Sequence, residues 1–488
     1  MEYHTGDTLE LELAGLSSDG RAVGRSVEGM TVFVRGGLPG QKVAARLTAV
    51  KKRMAEAEVE EILQRAREER PAPCVHAANC GGCPWQSLAY PLQLEWKRRI
   101  VQDSLQRIGR LALPEEIIMP VLSCGEEAQW TYRNKMEFAF AESREGKTLL
   151  GLRERSSHSV TEVTGCLLQS RRAMAVLQAL RELCDKYRLH AASSQRGGRR
   201  PRHGSFSRSV RQNDILRFAV IREPLAGGCL VELITLPSPQ ENSTLRKLGQ
   251  ELLACPHGVT GFVHSIRRNE SDVAYGEETA FTLGEAQLSE TLHLQGREVA
   301  FRLDHNSFFQ VNSRAAELLY NSAAKLASAL FSAEEDRLWG ESCWDIYCGA
   351  GGLALTMAPH FQHIFGLEAV AQAVELAREN ARIAGGETTF RFEAGDAATL
   401  ERRFSRMGIP DLLVTDPPRA GMDERTVQAI LRHRPPRVIL VSCNPATLAR
   451  DLALLAPAYH LRAVQPVDIF PQTPHVETVA ALEVKSLL

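Results

Sequence analysis

The chain has 488 residues, a formal net charge of −1, and 24% charged against 44% hydrophobic residues. This is the balance of a globular protein with room for roughly three domains, and any nucleic-acid surface on it must be local. No run of about 18 apolar residues offers a membrane span, and "MEYHTGDTLELEL" lacks a basic segment followed by an apolar stretch, so a cytoplasmic protein is expected, with its eleven cysteines read as thiols, ligands or catalytic groups rather than disulfides.

Residues 1–65 alternate apolar and polar positions in short runs such as "TLELELAGL" and "GMTVFVRG", punctuated by Gly15, Gly20, Gly24, Gly29, Gly36 and Gly37. Short strands with glycine turns predict a small OB-like β-barrel. Its basic residues, among them Arg21, Arg25, Arg35, Lys42 and Arg46, fit an RNA-binding face or an ordinary solvated surface equally well.

A central α+β region over 66–290 opens with "PAPCVHAANCGGCPWQSLAY". Three thiols within ten residues, Cys74, Cys80 and Cys83, sit among Pro and Gly, and Cys166 follows later in "TEVTGCLLQS". Soft thiolates at this density suit zinc or an iron–sulfur cluster, and the spacing allows both. The segment near 91–110 predicts a helix with Leu94, Ile100, Val101, Leu105 and Ile108 on its apolar face, placed to pack on the C-terminal domain. The stretch 196–212 carries six arginines and no acid, which suits either a phosphate-tracking loop or a solvated excursion.

From 291 to 488 strands and helices alternate, the pattern of a doubly wound α/β domain whose ligands sit at the carboxyl ends of the strands. "DIYCGAGGLALTMA" sets Gly349, Gly351 and Gly352 between a strand and a helix, with Tyr347 at the turn. Glu368 ends the next strand, where a carboxylate can take both ribose hydroxyls, and Asp396 ends the third, within reach of an adenine amine. NAD and S-adenosylmethionine share these needs. At the reaction end stands Asp416-Pro417-Pro418-Arg419, where arginine replaces the aromatic residue that amine methyltransferases use to cradle their substrate. "VILVSCNPATLARDL" then puts Cys443 between a buried strand and a helix start, which favours a thiolate. Glu477 in "PQTPHVETVA" and Gln310 in "SFFQVN" complete the candidates.

Together "SFFQVN", "DIYCGAGG", "DPPRAGMD", "VSCNPATLARDL" and "PQTPHVETVA" resemble the RNA uracil-C5 methyltransferases that use S-adenosylmethionine. Within that family the chain is most similar to the 23S ribosomal RNA enzymes that have an N-terminal TRAM barrel and a cysteine-bound [4Fe-4S] cluster. The resemblance implies a Rossmann-like methyltransferase domain, Cys443 as the nucleophile at uracil C6, and Glu477 as the base that removes the C5 proton. It further implies Asp416 between cofactor and base, and Gln310, Tyr347, Gly349, Gly352, Glu368 and Asp396 about the cofactor. Arg419 would support the thiolate or the base, and Phe308 or Phe309 would stack near a flipped nucleotide. The cluster would rest on Cys74, Cys80, Cys83 and Cys166, and a monomer acting on 23S rRNA is expected. A tRNA uracil-C5 enzyme and a non-catalytic rRNA-binding assembly factor are the alternatives.

Overall fold

The computed structural model describes residues 3–143, 145–155, 157, 159–192, 213–237, 242–269, 271–332 and 338–486. The arginine-rich stretch 196–212 lies outside the described residues. At the N-terminus, strands Thr8–Leu16, Ala22–Arg25, Thr31–Arg35, Lys42–Lys51 and Met54–Gln64 close into a barrel, with the fifth strand between the third and the fourth. Period-two alternation turns Leu11, Leu13, Val32, Val34, Val43 and Leu47 inward. Trp85, Leu88 and Ile100 join this core, so the barrel is docked rather than tethered.

The docking element is helix Tyr90–Arg107, which has partners on two sides. Ile100 faces the barrel core, whereas Val101 and Leu105 pack with Trp344 and Leu448 of the C-terminal sheet domain. The expected apolar stripe is only partly realised. Ile108 is exposed and Leu94 half-buried, while Gln93 and Lys97 are fully buried. The reason is that this face meets polar backbone from residues 470–472 rather than more hydrocarbon.

The central sheet runs, in spatial order, Glu278–Gly284, Gly261–Ile266, Leu230–Thr235, Asp214–Arg222, Lys135–Glu142, Thr148–Arg153 and Val160–Glu162, with His190–Ala191 paired to Asp214–Arg222. Helices Arg171–Lys186 and Asn242–Ala254 cover it through Val176, Leu180, Leu245 and Leu248.

The hairpin Gln287–Leu294 and Arg297–Asp304 departs from the expected division at 290. Its Leu292, Leu294, Phe301 and Leu303 bury against helix Ser313–Phe331 and the C-terminal sheet, because no other core is open to them. Ile118 and Leu122 likewise bridge to Val464 and Val467 of that sheet.

The C-terminal sheet has the order Thr389–Ala394, Phe361–Glu368, Gly340–Ile346, Leu412–Thr415, Arg437–Ser442, Glu477–Val484 and Tyr459–Val467. The first five strands are parallel, and Glu477–Val484 runs antiparallel between its two neighbours. Near-continuous apolar strands such as "RVILVS" are what a sheet covered on both faces requires.

Candidate active site

Parallel strands bring their last residues to one edge, and the register fixes which residues meet there. Ile346 pairs with Thr415, Thr415 with Leu440, and Ser442 with Thr478 of the antiparallel strand. Tyr347, Asp416 and Cys443 each lie one step beyond a paired residue, and the register continued one step past Ser442 and Thr478 sets Cys443 opposite Glu477. Neighbouring Cα atoms in such a pair stand about 5 Å apart.

Glu477 is 4% exposed, while Asp416 and Cys443 are half-buried. Burial pushes the Asp416 carboxyl well above the usual range. Burial, and then the Asp416 charge, do the same to Glu477, with Arg419 opposing. Two acids facing one small volume in low dielectric resist ionising together.

The Cys443 thiol is pushed up to about 12, first by burial and then by Glu477 and Asp416, with Arg419 pulling it down. This corrects the expectation that the helix start leaves a thiolate here. Helix Pro445–Leu455 does begin at once, capped by Asn444, whose side chain accepts from Ala446 N at 3.1 Å. The partial charge of one helix end is outweighed by desolvation and two carboxyls. Cys443 therefore rests as a thiol.

Among the described residues Arg419 has no buried ion-pair partner. Its side chain is exposed and reaches His475 Nδ1 at 3.4 Å. Its carbonyl accepts from Asn444 Nδ2 at 3.1 Å and Thr447 Oγ1 at 3.3 Å, which ties the Asp416 turn to the Cys443 helix.

At the cofactor end the chain turns sharply. Tyr347 has φ 67°, Gly349 φ 52° and Gly351 φ 93° before helix Gly352–Met357. A Cβ at Gly352 would stand 2.6 Å from Tyr320 Oη, so only glycine fits. Glu368 accepts from Gly349 N at 3.1 Å and Val370 N at 2.9 Å, which fixes its carboxylate facing the turn. Asp396 is exposed and caps the short turn Ala397–Thr399. Gln310 is 5% exposed, and its carbonyl accepts from Asn134 Nδ2 at 2.9 Å. Phe309 is buried against Phe301, with ring centroids 5.4 Å apart, which leaves the 71% exposed Phe308 as the aromatic free to meet a ligand.

Two residues here escaped the sequence reading. Asp345 is 1% exposed; its Oδ2 accepts from Ala354 N at 2.9 Å and its Oδ1 has no protein partner. An acid inside the run "CWDIY" was the available signal. A buried, unpaired carboxylate oxygen beside a glycine turn suits the cationic amino group of S-adenosylmethionine, as Glu368 suits its ribose. Asn380, fully buried, donates to Ala350 O at 3.0 Å and holds the turn from behind.

Cys74, Cys80, Cys83 and Cys166 line a single cavity of about 670 Å³, together with Arg21 and Arg35 of the barrel and Arg133, Arg153 and Arg155 of the central region. Burial and the neighbouring thiols push Cys83 up to about 12, and burial also raises Cys80 and Cys166. Among the described residues no three His, Cys, Asp or Glu side chains close around a single ion position. The amide N–H of Gly82 points at Cys80 Sγ, 3.4 Å away, as a thiolate ligand would favour.

Comparison with known proteins gives this geometry a lineage. Residues 270–485 match the family model described as tRNA (Uracil-5-)-methyltransferase, and residues 4–59 match the TRAM domain. A relative from Nitratidesulfovibrio vulgaris named as an RNA methyltransferase is 43% identical over 99% of this chain and 98% of its own length. One from Listeria monocytogenes is 33% identical, covering 97% of each. The crystal structure of Pyrococcus abyssi tRNA (uracil-54, C5)-methyltransferase with S-adenosyl-L-homocysteine shares the fold, at a TM-score of 0.71 and 24% identity over 97% of this chain and 100% of that one. The chain belongs to the RNA uracil-C5 methyltransferases that carry a TRAM domain. It is an S-adenosylmethionine-dependent enzyme acting on RNA.

Proposed function

We propose that the enzyme methylates C5 of a uridine in 23S rRNA through a covalent bond from Cys443 to C6. The observation that carries this reading is the register placing Cys443 across from the buried Glu477, at the edge that also holds the glycine turn. Uracil C5 is a weak nucleophile. Once the Cys443 thiol has given its proton to solvent, its sulfur bonds to C6, which moves the ring electrons to an enolate and makes C5 a carbon nucleophile. S-adenosylmethionine, when bound, supplies the methyl group. Glu477 then takes the proton left on C5, and Cys443 departs as the C5–C6 double bond re-forms. Asp416 accepts from the uracil N3–H, and Gln310, Tyr347, Gly349, Gly352, Asp345, Glu368 and Asp396 hold the donor. Phe308 stacks where the extruded base leaves its neighbours.

The donor set of Cys74, Cys80, Cys83 and Cys166 fits a [4Fe-4S] cluster: four convergent, half-buried thiols in a cavity much larger than one ion. We assign it a structural, RNA-facing role, because barrel arginines share the cavity. Iron and sulfide analysis of anaerobically purified protein should return four of each per chain, whereas zinc would replace this assignment.

A tRNA substrate is the second reading, favoured by the fold shared along its whole length with the Pyrococcus abyssi tRNA enzyme. Mixing the protein and S-adenosylmethionine with 5-fluorouridine-substituted 23S rRNA fragments, and separately with substituted tRNA, tests both. Fluorine cannot leave C5 as a proton, so the true substrate should remain attached at Cys443. An adduct with tRNA alone would transfer the assignment, and an adduct at another residue would end the proposed mechanism.

A further inference from the structure

The loop 468–476 delivers Glu477, and its two halves are held very differently. Its first half is gripped by donors from elsewhere. Asn312 Nδ2 donates to Ile469 O at 3.0 Å, Lys97 Nζ to Phe470 O at 2.9 Å, Tyr132 Oη to Pro471 O at 3.1 Å and Trp85 N to Gln472 O at 3.0 Å. Nearer Glu477 the support changes. His475 N donates to Thr473 Oγ1 at 3.3 Å and Thr473 Oγ1 to Phe470 O at 2.8 Å, both inside the loop.

Besides Arg419, which reaches His475 Nδ1, and the core that takes Val476, the barrel meets this second half from outside. Gly20, with φ +85°, sits so close to the buried Pro474 that an added Cβ would stand 2.7 Å from Pro474 Cγ and 3.1 Å from its Cβ. The glycine lies in a stiff turn. Gly20 N donates to Ser17 O at 2.9 Å, Ser17 Oγ to Asp19 Oδ1 at 2.6 Å, and Arg21 pairs with Asp19 at 2.7 Å. A proline ring has no rotamer by which to yield, so the contact passes displacement from one side to the other.

We infer that Gly20 is a positioning residue for methyl transfer: the barrel turn 17–21 braces Pro474 and thereby sets Glu477. The barrel then serves the chemical step as well as RNA capture. This inference rests on Glu477 being the base.

The barrel supplies its own control. Gly29 has φ +83° in the next turn, with no atom within 4 Å of an added Cβ. Gly20→Ala and Gly29→Ala therefore share the cost of left-handed backbone but differ in the contact. In the full-length enzyme, Gly20→Ala should speed hydrogen exchange in peptides spanning 470–478 and lower kcat about 10–100-fold with little change in KM for RNA. Gly29→Ala should do neither. The losses of Gly20→Ala and Pro474→Ala should fail to add in the double variant, as expected of one shared contact. Equal exchange in the two glycine variants, or a loss confined to KM, would overturn the inference. Glu477→Gln measured alongside separates the two claims: wild-type turnover there would remove the base itself, whatever Gly20→Ala does.

Discussion

Glu477 and Asp416 are acids kept where acids are costly. Their raised pKa values mean that the native state holds their protons more tightly than the unfolded chain does. Folding stability contributed at these sites is therefore lost, not gained, as pH climbs from the ordinary carboxylate range towards and past neutrality. Glu477→Gln should melt higher than the wild type, by the equivalent of about 1–3 kcal/mol, and the gap should widen with rising pH across that window. A gap that narrows on going alkaline would contradict the buried-acid assignment. Activity has the opposite slope. In the proposed mechanism Glu477 must be ionised to accept a proton and Cys443 must lose one, and burial raises both, so kcat/KM should increase from neutral to alkaline pH. Cys443→Ala should abolish methylation while calorimetry still shows S-adenosyl-L-homocysteine binding. The places of these three residues at strand ends were legible in the sequence because each stands at or beside a strand end inside a dense motif. The protonation state of Cys443 was not, since a helix start is visible in sequence and the two carboxyls converging from elsewhere in the sheet are not.

Among the elements, helix Tyr90–Arg107 and the loop 468–476 are joined by a polar seam. Lys97 and Asp468 form a fully buried ion pair, Tyr90 Oη donates to Asp468 Oδ2 at 2.8 Å, and Gln93 Nε2 to Gln472 Oε1 at 2.8 Å. Desolvation pulls Lys97 down, and the Asp468 charge opposes it. Lys97→Met strands that carboxylate, and should cost about 3–5 kcal/mol in denaturant unfolding. Lys97→Met/Asp468→Asn should recover much of it, and equal losses in the single and double variants would show the pair to be incidental. Helical periodicity announced this helix and its buried Ile100, Val101 and Leu105, but not the whole of the buried face. Gln93 and Lys97 are buried as well, because their partners include backbone carbonyls rather than hydrocarbon. The hairpin Gln287–Leu294 and Arg297–Asp304 failed for a similar reason, because an alternating strand does not say which core its apolar side joins.

At the scale of the molecule, the thiol cavity and the methyl-transfer edge belong to separate cores. The cysteines Cys83 and Cys166 pack against the central sheet cluster, whereas Cys443 stands at the edge of the C-terminal sheet. Cys83→Ser should therefore lose the proposed cluster and lower the melting temperature, while affinity for S-adenosyl-L-homocysteine stays within about twofold, since the glycine turn packs in a different cluster from the thiols. Loss of cofactor binding in that variant would show that the two cores share one cooperative unit. The three-part plan could be read from composition shifts along the chain. That the barrel touches the catalytic loop could not, because Gly20 and Pro474 are brought together only by tertiary packing.

The position of Glu477 along the chain has a consequence for biosynthesis. Gly20, Trp85, Lys97, Tyr132, Asn312, Asp416 and Cys443 all precede it, and its strand must insert between Arg437–Ser442 and Tyr459–Val467, which are made earlier. A ribosome adding residues in order thus makes Cys443, the glycine turn and the barrel before Glu477. The C-terminal sheet therefore stays open between Arg437–Ser442 and Tyr459–Val467 until Glu477–Val484 is made, and this edge of the candidate site is assembled last.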